Sequence, residues 1–518
     1  MSGLVRTRSA LTPSRVTIGL LVFAIVWLSV LALTCSSPPS DNVEQLTWVR
    51  SLEWGYYKHP PLPTWLLWLP VQVFGLSAGI TYVMGAVMVL ASLAILWRLL
   101  STMRGSAFAD IALLCGLCLG YYNRHLFYYN HNVVLMLLSV ASAALLWRAY
   151  TTRRLRWWIA LGAAIGLGAL SKYQIAVTVL SVLTFWLHQR AWRDSAHRLG
   201  LLCAALTALL IFVPHIEWLR EHHFGPIGYA VDTSLGAGLS ASARVQVALG
   251  WLVEQLLFRG GLAFALLAVV AWQVTRSRPV QQPTATLRDV PHRDPAKALI
   301  FAWGLLPLGF MPLVAIVLGS HIQGHWGTAF VIFAVPAAME MAPRGFWDKS
   351  DWVRVIPFFL LIQAFLLTQD YLAYREGPVA YGKHNRNHFD ASSYVKAIAA
   401  PARAQLGGPI RVVSGPANPA GILAVQLDEK PLVVIDGRLD RSPWIASGLV
   451  ARCGAVELGF TESVDTPPAD GAMPSAPEVS YAQVRIDAAG ARPVGPMLPG
   501  LSWRVRRPEP GAAACELR

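Results

Sequence analysis

The sequence predicts an all-α polytopic membrane protein with about eleven transmembrane helices, followed by a small C-terminal α/β domain. Three observations support the membrane part: 55% of the 518 residues are hydrophobic, only 14% are charged, and the mean hydropathy is +0.46. An ordinary soluble domain has about a quarter of its residues charged. Charge this sparse cannot cover a soluble surface, so most of the chain is expected to lie in a bilayer.

Apolar runs close to the ~20 residues that cross a bilayer define the predicted spans. They lie at about 16–34, 77–97, 107–121, 132–150, 157–171, 174–188, 199–216, 260–275, 298–319, 326–342 and 354–373. Every second loop between them is basic, which by the positive-inside rule is cytoplasmic together with the N-terminus. The further apolar stretch 244–258 is predicted to be an outer re-entrant or interfacial helix, because a crossing there would invert the basic loop 276–297.

The remaining loops are predicted to face outward, as is everything after about residue 374. We therefore divide the chain into a membrane domain, 1–373, and an extracytoplasmic α/β domain, 374–518. In the latter, residues 411–414, 431–435 and 455–459 are predicted strands, 419–426 a helix, and 466–477 a surface loop rich in proline, alanine and glycine. Cys453 and Cys515 are its two cysteines, and a bridge between them is permitted outside the cytoplasm.

The formal net charge of +14 does not indicate a nucleic-acid partner. The basic residues fall mainly in short loops between apolar runs, where topology and anionic membrane lipids account for them. The first apolar run lacks a small-x-small cleavage site before Cys35, so it is expected to remain as an uncleaved span. These features predict a multi-pass protein of a bacterial-type cytoplasmic (inner) membrane.

The most polar passage near the N-terminus follows the first span and contains Asp41 and Glu44. At i and i+3 the two carboxylates share a face of a helix over 43–54, whose apolar side would lie at the lipid–water boundary. One of them could act as a general base for an attacking hydroxyl. The alternative is structural, with Asp41 as an N-cap beside Glu44.

Asp41 precedes His59-Pro60-Pro61 by eighteen residues, within the run Trp54-Gly-Tyr-Tyr-Lys-His-Pro-Pro-Leu-Pro-Thr-Trp65. This arrangement resembles the first outer loop of the family 39 and aminoarabinose-transferase-like membrane glycosyltransferases, of the GT-C fold group. The resemblance covers roughly residues 16–345 and implies a catalytic Asp41 and a substrate-lining His59. The family's usual Asp-Glu pair is Asp41-Asn42 here, and Glu44 is a nearby carboxylate that could substitute.

Further residues match or depart from the same family. Leu-Ser-Lys172-Tyr173 resembles its recurring signature, which implies Lys172 as a ligand of the donor phosphate, whereas a snorkelling lysine is the alternative. The aromatic loop 121–132 contains Arg124, a second phosphate candidate, and Asn132, where the family often has an aspartate. That replacement disfavours a divalent metal, and no cofactor is predicted with certainty.

The segment His321-Ile-Gln-Gly-His325-Trp326 resembles the family's polar-tryptophan element and would line the acceptor entrance, although interfacial anchoring by Trp326 would look the same. Taken together, the resemblance implies transfer of a sugar from a polyprenyl-phosphate donor to an envelope glycan, lipid or protein outside the membrane. Two alternatives remain at this point, a lipid-linked sugar flippase and a membrane-tethered binding module. A flippase should carry ionisable groups at mid-membrane, whereas these spans are nearly free of charge.

Overall fold

The structure is a computed structural model that describes residues 11–235, 238–276, 293–377, 379–380, 383–384, 386–460, 482–483 and 501–516. The predicted surface loop 466–477 and most of the predicted basic loop 276–297 lie outside these residues. The described part of the chain is mostly helical, as the composition predicts.

The helices up to the C-terminal region are α1 (Pro13–Thr34), α2 (Ser40–Trp48), α3 (Leu62–Phe74), α4 (Ala78–Arg104), α5 (Ser106–Gly116), α6 (His131–Thr152), α7 (Leu155–Ala169), α8 (Ile175–His188), α9 (Ser195–Glu221), α10 (Gly225–Ala230), α11 (Ala241–Val253), α12 (Gly261–Arg276), α13 (Pro295–Gly304), α14 (Leu306–Leu318), α15 (Ala334–Met339) and α16 (Trp352–Glu376). The later helices are α17 (Ala391–Leu406), α18 (Ala417–Gln426) and α19 (Leu449–Cys453). The strands are β1 (Val379–Ala380), β2 (Lys383–His384), β3 (Val412–Gly415), β4 (Leu432–Ile435), β5 (Ala455–Phe460), β6 (Ala482–Gln483) and β7 (Leu501–Arg506).

Six helical segments of the described chain are long and apolar enough to cross a membrane: α1, α4, α6, α9, α13 with α14, and α16. The pair α11 and α12, bent by 57°, makes a seventh if it counts as one broken span. The helices α3, α5, α7 and α8 are apolar but shorter. A multi-pass membrane protein is thus confirmed, while the count of eleven crossings stays a prediction.

Two stretches differ locally from the predicted spans and loops. The run 326–342 contains 3-10 turns and the six-residue helix α15 in place of one long helix. The stretch contains Gly327, which has a poor helix propensity, and Pro336, which lacks an amide hydrogen for the helical ladder. The helix α3 lies inside the stretch that we predicted as an outer loop, and it starts with a proline in its first turn.

The short helix α7 is held against the long helix α9 by small residues. A Cβ atom on Gly162 would lie 2.2 Å from the carbonyl oxygen of Ala204, and one on Gly166 would lie 2.9 Å from that of Ala208. The two glycines are four residues apart and therefore share one helical face. Such small-residue faces let membrane helices approach closely, and this packing fixes the turn that follows α7.

The C-terminal residues form a five-stranded sheet in the order β4-β3-β5-β7-β6. The strand β3 is parallel to β4 and β5, whereas β7 is antiparallel to β5 and β6. The four elements that we predicted before residue 460 are present as β3, α18, β4 and β5. A disulfide joins Cys453 to Cys515, so the pairing that the sequence left open is formed.

The helix α2 lies between the membrane helices and this sheet. Its Leu46 belongs to the membrane core, whereas Val43 and Trp48 belong to the core of the C-terminal region. A Cβ atom on Gly421 of α18 would lie only 2.3 Å from Cγ1 of Val43. The membrane helices and the C-terminal sheet are therefore packed together through α2.

This packing corrects our prediction for the first outer loop. The helix ends at Trp48 and does not reach residue 54. Its apolar side is covered by protein on both faces, and among the residues we assigned to the lipid–water boundary only Leu52 and Trp54 are exposed. The hydrophobic pattern gave the buried face correctly, but it could not distinguish lipid from a folded domain as the cover.

Candidate active site

Asp41 lies in the first turn of α2 with its carboxylate half-buried. Its Oδ2 atom accepts a hydrogen bond from the side-chain amide of Asn130 at 2.8 Å. The cap position of α2 is occupied by Pro39, and no side chain caps the helix. The interpretation of Asp41 as an N-cap is therefore wrong, and its carboxylate is left to other partners.

Asn130 is the N-cap of α6 and was not singled out from the sequence. Its Oδ1 atom accepts from the backbone amides of Asn132 at 3.0 Å and Val133 at 3.1 Å. Because the oxygen must face those amides, the NH₂ group must face Asp41. An asparagine directly before an apolar helical run is a recognisable cap signal, so the sequence did hold a clue to this residue.

Asn42 is fully buried and points away from Asp41. Its amide nitrogen donates to Thr81 Oγ1 and to the carbonyl oxygen of Phe127, both at 2.8 Å, and its oxygen accepts from the amide of Tyr129 at 2.9 Å. A glutamate cannot donate the first two bonds when ionised. The departure from the family's Asp-Glu pair thus gives a side chain that braces the outer loop against α4 and the loop before α6.

Lys172 lies in the turn between α7 and α8 and is only 9% exposed. Its Nζ atom donates to Asn132 Oδ1 at 2.7 Å and lies 5.4 Å from the centre of the Trp326 ring. Burial lowers the pKa of Lys172 to about 7, and the charge of Asp41 opposes this shift. The snorkelling alternative is therefore wrong, because the ammonium group points into the protein and forms no ion pair within the described residues.

A second cation, Arg259, approaches from the far side of the site. It ends a π-helical segment, Glu254–Arg259, of the kind that often occurs at functional sites. Its guanidinium stacks on the Tyr121 ring at 4.8 Å, and its Nη2 atom donates to Glu254 Oε1 at 3.0 Å. The charges of Lys172, Asp41 and Arg259 all act on His325, which places these groups around one space.

Arg259 was missed because the sequence gave it no motif. The signal available was topological, since a basic residue that flanks a span on the predicted outer side goes against the positive-inside bias. Its position next to Tyr121 and His125 depends on the approach of the π-helical segment to the loop 120–130, where the amide of Gly120 donates to the carbonyl of Arg259 at 2.8 Å.

His59 is brought into the same space. Its ring centre lies 4.1 Å from that of His131 and 6.3 Å from that of Trp48. Burial, together with the charge of Lys172, keeps the pKa of His59 well below its ordinary value. Across the described residues, no three histidine, cysteine or carboxylate side chains are grouped so as to hold a metal ion.

Glu44 lies one helical turn after Asp41 but is already paired. It forms a salt bridge with Lys58, and both side chains are largely buried. Lys58 also lies about 5.5 Å from the ring centres of Tyr57 and Tyr229. Burial opposes the charge of Lys58, yet the charge of Glu44 raises the pKa of this lysine overall. Through Tyr229 the pair joins the outer loop to α10.

Arg124 and Tyr173 point away from Asp41 and Lys172. The guanidinium of Arg124 donates to Asp370 Oδ1 at 2.6 Å near the end of α16. The hydroxyl of Tyr173 lies 2.9 Å from Nε2 of His215 on α9. Both side chains thus have structural partners, whereas the structure brings together Asp41, His59, Asn132, Lys172, His325 and Trp326.

Comparison of the sequence with known proteins finds glycosyltransferases. The family model for dolichyl-phosphate-mannose-protein mannosyltransferases matches residues 58–218. The lipopolysaccharide core galacturonosyltransferase RgtA of Rhizobium johnstonii is 23% identical over 407 residues, which are 76% of this chain and 77% of the relative.

Solved structures extend the likeness over nearly the whole chain. ArnT from Cupriavidus metallidurans bound to undecaprenyl phosphate superposes with a TM-score of 0.56 at 16% identity, covering 94% of this chain and 98% of ArnT. The chain is a membrane glycosyltransferase with the GT-C fold seen in ArnT. The apo form of the same ArnT gives a TM-score of 0.52 over 86% of this chain.

This GT-C assignment confirms the resemblance seen in the first outer loop and at Lys172. It also selects the enzyme over the flippase and the tethered binding module, because the relatives are glycosyltransferases by name. The polar groups that come together lie where α2, the start of α6, the α7–α8 turn and the 324–327 turn meet.

Proposed function

We propose that the chain transfers a sugar from a polyprenyl-phosphate donor to a hydroxyl group of an envelope glycan or lipid, with Asp41 as general base. The observation that carries this proposal is that the first turn of α6 holds both Asp41, through Asn130, and Lys172, through Asn132. The charge of Arg259, a second cation, acts on the same His325 as these two groups. A base and a phosphate site are the two charged functions that the reaction needs.

In the proposed step the acceptor oxygen attacks the anomeric carbon of the donor sugar while Asp41 takes the hydroxyl proton. The bond between that carbon and the phosphate oxygen breaks, and its electron pair leaves with the polyprenyl phosphate. A new glycosidic bond forms on the opposite face of the sugar ring, so the anomeric configuration is inverted. No other reactant is required.

Lys172 is the proposed ligand of the donor phosphate. It is buried, held by the neutral oxygen of Asn132, and has no carboxylate partner among the described residues that would compete with a phosphate. A cation in such surroundings stabilises developing negative charge more strongly than one in water. Arg259 replaces Arg124 as the second candidate, because its charge acts on His325 together with that of Lys172, although it also pairs with Glu254.

His59, His325 and Trp326 are proposed to line the space for the sugar and the acceptor. Glu44 is proposed to stabilise the outer loop through Lys58 and to leave proton transfer to Asp41 alone. The name of RgtA makes a galacturonosyl donor and a lipopolysaccharide-core acceptor the first pair to test.

The packing of α2 supports a proposal for the compartment. We propose that Asp41 faces the extracytoplasmic side of the inner membrane, as the α/β domain 374–518 does, with eleven crossings and the N-terminus in the cytoplasm. Two observations support this side. The helix α2 packs directly on α18, and the same C-terminal region carries a disulfide, which persists in oxidising compartments.

The test is a transfer assay with purified protein and a synthetic polyprenyl-phosphate galacturonate. Asp41→Asn should lower turnover by the ~10²–10⁴-fold typical of the loss of a general base, while donor binding is nearly unchanged. Asp232→Asn removes an exposed carboxylate outside the site and serves as the matched control with parental turnover. An Asp41→Asn protein that transfers sugar at the parental rate would refute the assignment of the base.

A further inference from the structure

A pocket lies at the other end of the helical bundle from Asp41. It opens between the end of α6 and the segment 189–195, which joins α8 to α9, and its volume is about 460 Å³. Asn130 caps the start of α6 beside Asp41, and the 22 residues of this helix span roughly 33 Å at 1.5 Å per residue. The pocket is therefore about one bilayer thickness away from the candidate active site.

The lining of this pocket carries excess positive charge. Arg153, Arg190 and Arg193 face one carboxylate, Asp194. Only Arg153 pairs with it, at 3.1 Å. Arg193 stacks on the exposed ring of Trp192 at 5.0 Å, and Arg190 forms no ion pair within the described residues. Two guanidinium groups are thus left without an anion.

The inner wall of the pocket holds a buried polar atom without a partner. His197 is only 4% exposed, and its ring stacks on that of Tyr150 with 5.0 Å between centres. Its Nδ1 atom has no hydrogen-bond partner among the described residues, while its Nε2 atom lies 4.0 Å from Asp194 Oδ2. Buried polar atoms are normally satisfied, so the wall behind the arginines keeps an unsatisfied polar atom.

We propose that this pocket binds a phosphate group, with the headgroup of an anionic phospholipid as its ordinary source. Guanidinium groups match the oxygens of phosphate in bidentate geometry. Two large apolar side chains near the arginines are exposed, as is typical of a surface that faces lipid: Leu187 is 58% exposed and Trp192 is 43% exposed. Anionic lipids collect at basic pockets on the cytoplasmic side of membrane proteins.

The backbone at Arg190 allows a clean test. This residue has a φ of +53°, in the left-handed region that favours glycine and asparagine over other side chains. Arg190→Asn therefore removes the guanidinium without adding backbone strain. Combined with Arg193→Gln, it removes both unpaired charges. Arg156→Gln is the matched control, because Arg156 is an exposed arginine at the same end of the bundle that stacks on Trp157 at 5.0 Å.

The experiment measures binding of phosphatidylglycerol, of phosphatidylcholine and of inorganic phosphate to the purified full chain in detergent by native mass spectrometry. The parent and Arg156→Gln should bind phosphatidylglycerol more tightly than phosphatidylcholine. The double variant should lose about tenfold or more of that affinity, with parental thermal unfolding and parental sugar transfer.

Measuring both probes distinguishes a lipid headgroup from free phosphate as the ligand. The double variant could lose binding of inorganic phosphate and still bind phosphatidylglycerol as the parent does. In that case the pocket binds phosphate, but its source is the free ion and not a lipid headgroup. The proposal is overturned if the double variant binds both probes as the parent does, or if Arg156→Gln loses as much affinity as the double variant. Neither result bears on the assignment of Asp41.

Discussion

The side-chain amide of Asn130 donates to Oδ2 of Asp41 at 2.8 Å while its oxygen caps the helix α6. One asparagine therefore fixes the carboxylate of the outer loop relative to the helix whose second residue, Asn132, binds Lys172. The proposed base and the proposed phosphate ligand are held by the same helical turn. This arrangement makes Asn130 a positioning residue whose role can be separated from its role as a cap.

Asn130→Asp should retain the cap and impair the chemistry. Aspartate caps helices as well as asparagine does, so thermal stability should stay close to that of the parent. The second carboxylate repels Asp41 and favours its protonated form, so the acid limb of the kcat/KM profile should move to higher pH. Asn130→Ala loses about 1 kcal/mol of cap stability and only the hydrogen bond to the carboxylate, so it should move the acid limb in the same direction but by less. Identical pH profiles for both variants would contradict the positioning role.

Donor binding should weaken as the pH rises through about 7. Burial lowers the pKa of Lys172 to about 7, so the free protein holds the ammonium form below this pH and loses it above. Since the donor phosphate is proposed to need the charged form, the Kd of the donor should increase by up to about tenfold per pH unit above that value. Titrations from about pH 6 to about pH 9 check this dependence.

Two variants provide the comparison for that titration. Lys172→Arg carries a cation that stays protonated, so the pH dependence should disappear. Lys172→Met should bind the donor weakly at every pH. A parental Kd that does not change with pH would mean that Lys172 does not face the donor phosphate.

Glu44→Gln should damage stability more than catalysis. The substitution leaves Lys58 without its ion-pair partner in a largely buried position, which costs free energy because the charge is no longer compensated. Turnover per folded molecule should stay far above that of Asp41→Asn. Parallel thermal unfolding and transfer assays measure the two effects, and an inactive but parentally stable Glu44→Gln protein would return the role of base to Glu44.

Gly421→Ala should disturb the site through the contact between α18 and α2. The new Cβ atom would lie 2.3 Å from Cγ1 of Val43, so α2 must shift, at a cost of about 1–3 kcal/mol for an overpacked contact. Transfer activity should fall together with stability. Gly408→Ala adds the same methyl group where nothing lies within 4 Å, and equal activity of the two variants would show that the contact is dispensable.

The disulfide provides a test of the compartment. Cys453 and Cys515 are separated by 62 residues, so removing the bond should cost about 4 kcal/mol in the loop-entropy account. In membranes prepared with thiols blocked, both cysteines should become labelled only after reduction.

Reporter fusions test the orientation of the chain independently of the disulfide. A reporter active outside the cytoplasm should work after Ala400 and fail after Arg154, and the reverse pattern would overturn the proposed orientation.

The sequence by itself determined that this protein lies in a membrane and which class of reaction it catalyses. Scarce charge and long apolar runs required a bilayer, and the spacing from Asp41 to His59-Pro60-Pro61 with Lys172 indicated a GT-C glycosyltransferase. These features are local in the chain, because hydropathy and short motifs are read over a few tens of residues. For the same reason β3, α18, β4 and β5 could be predicted within a residue or two.

Only the tertiary structure decided which polar groups share the site. Asn42 braces the loop, Glu44 pairs with Lys58, Arg124 pairs with Asp370, and Arg259 enters from a π-helical segment more than 200 residues after Asp41. Each of these outcomes depends on which helices pack together, and a side chain takes the partner that such packing brings within hydrogen-bond distance. Helix packing likewise decided what buries the apolar face of α2, because lipid and a folded domain can bury such a face equally well.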